Sequence, residues 1–159
     1  MTSPLTRSLV LAATALGGVA AGTSFDKSIV QLTAWRRVGV VPWAAYSREA
    51  DLGNGLVWYP PLGIGTVLSN VAAAVALRRD PTAPRSAVLP AQAAALLAVG
   101  HMLATAGAAP NMLGIRRTED PEALRGALDG FTRWQTVRTG LDALMFAANL
   151  WSLTSATRP

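Results

Sequence analysis

The sequence predicts an all-α membrane protein: a four-helix transmembrane bundle, up-down-up-down, with short amphipathic helices capping its outer end. Of the 159 residues, 51% are hydrophobic and only 14% are charged. The mean hydropathy of +0.32 is higher than a soluble domain of this size usually has. Four apolar segments each approach the ~20 residues that cross a hydrocarbon core. A chain of this length is expected to form one domain.

The composition excludes several kinds of site. The chain has no cysteine, so disulfides, thiolate metal sites and thiol redox chemistry are ruled out. It has one histidine, His101, so no multi-histidine metal cluster forms within one chain and no metal site is predicted. The net charge is +5, but the basic residues fall mostly between apolar runs. That distribution indicates membrane flanks rather than nucleic-acid binding.

The first apolar segment covers about residues 4–23, "PLTRSLVLAATALGGVAAGT". Gly18 and Gly22 form a GxxxG pair, a spacing that allows close helix contact in membranes. A signal peptide is an alternative interpretation, because Arg7 precedes an apolar run that ends in small residues. Cleavage there would leave three spans.

The first outer connection, residues 24–55, has helical character. Apolar residues recur at helical spacing at four positions: Phe25, Ile29, Leu32 and Trp35. Ser24 or Asp26 is suited to cap this helix and Gly39 to end it. A second helix then begins at Pro42 and closes at Gly53. We expect either two short helices on the outer mouth of the bundle or extensions of the first two spans.

The second and third spans cover about residues 56–77 and 86–109. The short link between them contains Arg78, Arg79 and Arg85. Short arginine-rich loops lie in the cytoplasm. The prediction is therefore a multi-pass protein of the cell membrane with both termini in the cytoplasm.

The second outer connection, residues 110–133, predicts a short amphipathic helix with an acidic start at Glu119 and Asp120. The fourth span follows at about residues 135–156. No long repeat, phosphate-binding glycine loop or serine-nucleophile motif is present.

The fourth span carries polar residues that hydrocarbon would disfavour. Trp134, Arg138, Asp142 and Asn149 follow one another at spacings of four, four and seven, which places them on one stripe. Such a stripe should face the bundle interior. Arg138 and Asp142 can pair within the helix, one turn apart.

The other spans offer partners for this stripe. Tyr59, Thr66 and Asn70 share a stripe on the second span. His101 lies on the third span at about the depth of Asp142, so these two side chains can meet across the bundle. Arg138, Tyr59 and Asn111 would then lie above them, towards the outer mouth. The set combines a titratable base, a carboxylate that orients it and a cation that stabilises an anion.

Each candidate residue also has a purely structural interpretation. Arg138 and Asp142 can be an ion pair that fixes helix packing, and His101 a core histidine bonded to a backbone carbonyl. Asn70 and Asn149 can bond neighbouring helices, while Asn111 can be a turn residue. Tryptophans near the membrane boundaries, Trp134 among them, are typical interface anchors. Arg48 and Asp51 can be helix-end charges in water, although both lie near the predicted mouth.

Two stretches resemble the DUF1772 family of small membrane proteins, which includes anthrone oxygenase-like proteins of polyketide pathways. They are "AGAAPNMLG", residues 106–114, and "RWQTVRTGLDALMFAANL", residues 133–150. The family pattern is a Pro-x-Asn or Pro-Asn turn, then Asn or His followed three residues later by Arg. Asn111 and Arg138 match this pattern. Gln135 departs from it, because it stands where the family has Asn or His.

The resemblance implies an oxygenase acting on an apolar aromatic, anthrone- or polyketide-like substrate without metal, flavin or other cofactor. Within it we assign His101 as the base, Asp142 as its orienting partner and Arg138 as the holder of the oxyanion. Seven further residues are predicted to contact substrate: Tyr59, Asn70, Asn111, Trp134, Gln135, Arg48 and Asp51. The expected partners are this substrate and lipid, with a homo-oligomer favoured by the small-residue faces and no nucleic acid.

Two other functions fit the same residues. One is a non-enzymatic accessory or assembly subunit that uses its polar stripe for packing or partner helices. The other is a haem or quinone binder through His101, although a single histidine excludes bis-histidine haem ligation within one chain.

Overall fold

A computed structural model describes residues 2–157, and these are all helical apart from short connections. Six α-helices follow one another along the chain: α1 (Pro4–Phe25), α2 (Leu32–Val38), α3 (Val40–Glu49), α4 (Gly55–Arg79), α5 (Arg85–Gly114) and α6 (Pro121–Thr157). Three tighter or wider helical segments join them: the π-helical segments Asp26–Gln31 and Ala50–Asn54, and the 3₁₀ turn Ile115–Arg117.

The two π-helical segments connect α1 to α2 and α3 to α4, so the first half of the chain forms two long helices. One runs from Pro4 to Val38 and the other from Val40 to Arg79, with the break at Gly39. Gly39 has a φ of 95°, a conformation that glycine adopts without steric cost, so the predicted stop is confirmed. Of the two expectations for residues 24–55, extension of the first two spans is confirmed, because the helices continue through Ser24, Asp26 and Gly53. Separate helix ends at these three residues are therefore wrong.

The helices in the second half of the chain are also longer than predicted. Pro110 and Asn111 lie inside α5, which ends only at Gly114, so the predicted proline–asparagine turn is wrong. A proline inside a helix removes one backbone hydrogen bond but does not by itself end the helix. The predicted separate amphipathic helix is instead the first part of α6. Its acidic start is confirmed, since Asp120 accepts from the backbone N–H of Ala123 at 2.8 Å.

Three helices are long and apolar enough to cross a membrane: 4–38, 40–79 and 85–117. The fourth long helix, α6, contains several charged and polar residues and falls outside this group within the described chain. The protein is therefore a membrane-type helical protein with four long helices.

The four long helices pack in a ring, in which α1 and α5 each contact both α4 and α6. Alanine-rich clusters fill one end and the middle, where small side chains allow close helix contact. The other end has larger side chains from α2, α3, α5 and α6, including Trp35, Trp43 and Phe131. The predicted cap of short helices, α2 and α3, lies at this end, which we call the capped end.

The opposite end of the bundle brings both ends of the described chain together. The Ser3 N–H donates to Asp80 in the α4–α5 link at 2.8 Å, and Thr2 donates to the Ala156 carbonyl at 3.2 Å. Hydrogen bonds from the Ser3 backbone and from Thr82 lower the pKa of the Asp80 carboxyl to about 2.

The glycines of α1 contact α6 at one position of the predicted pair. A Cβ on Gly18 would lie 3.1 Å from the Phe146 ring, whereas Gly22 has nothing within 4 Å. The neighbouring Gly17 approaches α6 more closely, with a Cβ position 2.9 Å from the Asn149 amide. Small residues therefore set the distance between α1 and α6.

Candidate functional site

His101 and Asp142 form a buried dyad in the middle of the bundle. The His101 Nδ1 lies 2.7 Å from Asp142 Oδ1, so the contact expected across the bundle is present. Asp142 has no exposed surface, and its other oxygen accepts from the Ser24 hydroxyl at 2.5 Å. A carboxylate on Nδ1 favours the tautomer that leaves the Nε2 lone pair free. Nε2 points towards Gly63 on α4, where a Cβ would lie 3.7 Å from it.

Arg138 is a largely buried cation that forms no ion pair with a carboxylate among residues 2–157. Its Nη2 donates to Gln135 Oε1 and its Nη1 approaches the Thr105 hydroxyl at 3.5 Å. Its Nε is buried and has no hydrogen-bond partner among residues 2–157. Arg138 and Asp142 do not form an ion pair, and the Asp142 oxygens are bonded to His101 and Ser24 instead. An unpaired guanidinium in a low-dielectric interior attracts an anion strongly.

A continuous path of hydrogen bonds connects this cation to the dyad. Gln135, which has no exposed surface, accepts from Arg138 and donates its Nε2 to the Ser24 carbonyl at 3.3 Å. Ser24 in turn donates its hydroxyl to Asp142. The base and the cation are thus positioned by one network, which is anchored at the end of α1.

A buried ion pair lies between the two π-helical segments. Lys27 Nζ contacts the two oxygens of Asp51 at 2.6 and 2.7 Å and donates to Gln31 at 3.0 Å. Both charged side chains are at least nine-tenths buried. Because π-helical segments are rare and often occur at functional sites, their pairing here points to a built site.

A cavity of about 320 Å³ adjoins these groups. Its walls are mostly apolar, with polar side chains at a few points: Thr23, Ser24, Lys27, Asp51, Tyr59, His101, Thr105 and Arg138. Small-molecule sites have this size and this mixture of apolar walls and few polar groups. His101 and Arg138 reach the same cavity, from α5 and α6.

Four of the predicted site residues line the cavity: Asp51, Tyr59, His101 and Arg138. Asp142 does not line the cavity; it hydrogen-bonds to His101, which does. Gln135 lies outside the cavity lining and holds the Arg138 guanidinium.

The other predicted contacts lie elsewhere. Asn70 donates to the Thr66 carbonyl, and Asn111 donates to the Gly107 carbonyl. Trp134 packs over Gly107, where a Cβ would lie 2.6 Å from its ring. Arg48 donates to the backbone of the α5–α6 connection and pairs with Glu119 at 3.1 Å. The structure places none of these four against the cavity.

Sequence reasoning missed Ser24, Lys27 and Thr105. Lys27 could have been recognised because it is a charged residue in a helical stretch that continues the first apolar span. Lys27 stands three residues after Ser24, and this spacing places both on one helix face. Thr105 follows His101 by four residues on α5, so the same rule would have found it.

Searches of protein-family models, curated proteins and solved structures found no match to this chain. Among residues 2–157, no three His, Asp or Glu side chains are grouped so that they could hold a metal ion. Fold and cavity together define the class: a membrane-type helical protein with an internal, charge-lined cavity of small-molecule size.

Proposed function

We propose that this chain is a small integral membrane enzyme, a cofactor-free oxygenase that acts on an apolar aromatic, anthrone- or polyketide-like substrate. One observation carries the proposal: His101 Nε2 and the unpaired Arg138 guanidinium reach the same largely apolar cavity. A base and a cation beside one substrate are what carbanion chemistry at an acidic CH₂ group requires.

The proposal includes a fourth span and an up-down-up-down topology. The polar residues of α6 face the protein interior: Gln135, Asp142, Asn149 and Ser152 are buried. Large apolar residues of the same helix face outward: Val137, Leu144, Leu150 and Trp151. A mean hydropathy includes the inward polar residues although lipid does not contact them. The mean hydropathy of α6 is therefore lower than that of the other three long helices. The contacts of Ser3 with Asp80 and of Thr2 with Ala156 fit both termini on one side.

In the proposed first step, His101 removes a proton from substrate carbon. An anthrone CH₂ group is acidic because the resulting anion is an aromatic phenolate. His101 Nε2 takes the proton, and Asp142 stabilises the imidazolium through Nδ1. Arg138 binds the phenolate oxygen, and this charge interaction is strong because the cavity walls are mostly apolar.

In the second step the bound anion reduces O₂ directly. Carbon gains a C–O bond to give a hydroperoxide anion, which takes the proton held by His101. Loss of water from the hydroperoxide leaves the quinone carbonyl. The sum is R₂CH₂ + O₂ → R₂C=O + H₂O, with the carbon oxidised and both oxygen atoms reduced. No other oxidant or reductant is needed for this balance.

The resemblance to the DUF1772 family supports the same reaction, with one departure. Gln135 stands where the family has Asn or His, and in this chain it accepts from Arg138. We propose that Gln135 orients the guanidinium and that His101 supplies the base from α5.

Oxygen consumption by detergent-purified protein supplied with 1,8-dihydroxyanthrone tests the proposal. We expect uptake above autoxidation and its loss in His101→Ala. A Thr154→Ala variant, which changes an exposed site on α6, is the control for purification and folding. Equal uptake by wild type and His101→Ala would refute the assigned base. No uptake above autoxidation by folded wild type would refute this substrate class.

A further inference from the structure

The cavity has two different sides. Six of its lining residues are also exposed on the protein surface, and all six lie on α4 or α5: Leu56, Tyr59, Pro60, Ile64, Ala109 and Leu113. Four of these, Leu56, Tyr59, Ile64 and Leu113, are between 42% and 51% exposed. Residues that line a cavity and the outer surface at once form the rim of an opening. This opening lies between α4 and α5.

The capped end of the cavity is closed. Lys27, Asp51 and Leu52 line it there, and each is at most 8% exposed. Trp43 lies over Lys27, with 5.7 Å from Nζ to the ring centre, and belongs to the apolar cluster above. The ion pair between the two π-helical segments therefore seals the cavity from water at the capped end.

We propose that the ligand enters sideways from the bilayer, through the opening between α4 and α5, and lies with its acidic end inward. Five of the six rim side chains are apolar, as suits contact with acyl chains, and the amphipathic Tyr59 suits the boundary between acyl chains and headgroups. The polar lining residues on α1, α5 and α6 are all less exposed than the rim. Arg138, which forms no ion pair within residues 2–157, provides the charge that an acidic end would meet.

This orientation defines the ligand by its chemistry. It is a flat or slender apolar molecule with one acidic hydroxyl, dissolved in the membrane rather than in water. The inference deepens the proposed function, but it concerns binding and needs no turnover.

The test uses 1,8-dihydroxyanthraquinone, which already carries the quinone carbonyl and consumes no oxygen. The protein is reconstituted in phosphatidylcholine vesicles that contain this probe, and binding is followed by the change in the probe's visible absorption. Ile64→Trp narrows the opening at its rim. Leu68→Trp is the matched control, because Leu68 is also exposed on α4, one turn along, and does not line the cavity.

We expect Ile64→Trp to slow binding about tenfold and Leu68→Trp to leave the rate unchanged. Equal rates in the two variants would overturn the side entrance, as would the absence of saturable binding to wild type. A second probe, the membrane-impermeant anthraquinone-2-sulfonate, is added from water. We expect no binding of this probe, and binding as fast as that of the bilayer probe would show a water-side entrance.

The two proposals fail separately. If oxygen uptake is absent but Ile64→Trp selectively slows binding, the oxygenase is refuted and the side entrance stands. If uptake depends on His101 and Ile64→Trp binds and turns over normally, only the side entrance is refuted.

Discussion

The Asp142 side chain has no exposed surface, and within residues 2–157 each of its carboxylate oxygens has one hydrogen-bond partner. Ser24 and His101 together satisfy a group whose burial would otherwise cost several kcal/mol. This arrangement fixes the His101 ring with Nε2 towards the cavity. These hydrogen bonds therefore contribute both to folding stability and to the proposed reaction. Substitutions that keep the side-chain volume distinguish the two contributions.

Replacing Asp142 by Asn keeps the shape but removes the negative charge that stabilises protonated His101. We expect the kcat for hydroxyanthrone oxidation to fall about a hundredfold or more. Oxygen uptake by the variant measures this loss. Asp129→Asn, on the same helix and outside the cavity, should leave kcat unchanged. Normal turnover by Asp142→Asn would contradict the dyad.

Ser24 is a positioning residue in this account, because its hydroxyl holds Asp142. Ser24→Ala should lower kcat about tenfold with little change in KM, since the worth of one hydrogen bond to a charged group is about 1.5–3 kcal/mol. Ser24→Thr, which keeps the hydroxyl, should recover part of the activity. Ser8→Ala is the control, as Ser8 is exposed on the same helix and lies outside the cavity lining. A rise in KM without loss of kcat would assign Ser24 to substrate binding instead.

At the scale of elements, the π-helical segments determine which residues face the interior. Phe25, Ile29, Leu32 and Trp35 were predicted to share one face, but only Leu32 and Trp35 are buried. A π-helical turn holds an extra residue and rotates the side chains that follow it. The buried face therefore changes within Asp26–Gln31. Hydrophobic spacing assumes a uniform helix, so it predicted the helix but grouped the exposed Phe25 and Ile29 with the buried Leu32 and Trp35.

The polar stripe of α6 was predictable because that helix is regular throughout. Arg138 and Asp142 follow its α-helical period, and the contact of Asp142 with His101 came from equal depth on two spans. Which polar residues reach the cavity was not predictable. Gln135 hydrogen-bonds to a neighbouring helix and Asn70 to its own helix instead. Which side chains face the cavity depends on the exact rotation of each helix about its axis, and the sequence does not define that rotation.

The Lys27–Asp51 pair should be a strong stabilising contact only while both partners are present. Lys27→Met alone leaves a buried carboxylate unpaired and should destabilise the protein by about 3–5 kcal/mol. The double variant Lys27→Met with Asp51→Leu should recover most of this loss. Unfolding in mixed SDS–detergent micelles measures both.

The exposed pair Arg48–Glu119 provides the comparison for this experiment. Glu119 lies largely in solvent, so Glu119→Gln should cost less than about 1 kcal/mol. A Lys27→Met variant as stable as Glu119→Gln would contradict a strongly stabilising ion pair between the two π-helical segments.

At the scale of the whole molecule, the charges are divided between the ends and the interior. Arg78, Arg79 and Arg85 flank the α4–α5 link, at the end where both termini of the described chain lie. Inside, two cations, Lys27 and Arg138, accompany two carboxylates, Asp51 and Asp142, so the cavity region is neutral when His101 is neutral. A phenolate entering beside Arg138 is then balanced when His101 takes its proton.

The proposed topology predicts opposite membrane sides for the two links. Because the chain has no cysteine, single cysteines report position without background. A membrane-impermeant maleimide should label Glu119→Cys in intact cells and Ala83→Cys only after permeabilisation. Labelling of both positions from the same side would contradict four spans, and reversed labelling would place the termini outside.

In the proposed reaction, His101 and Arg138 act on one bound anion. Anaerobic absorption spectra of 1,8-dihydroxyanthrone with purified protein detect this anion, because it accumulates without O₂. We expect the red-shifted anion band with wild type and with Arg133→Gln, an exposed control on α6. The band should be lost in Arg138→Gln. A bound but neutral anthrone in wild type, or an anion band of equal strength in Arg138→Gln, would contradict the account.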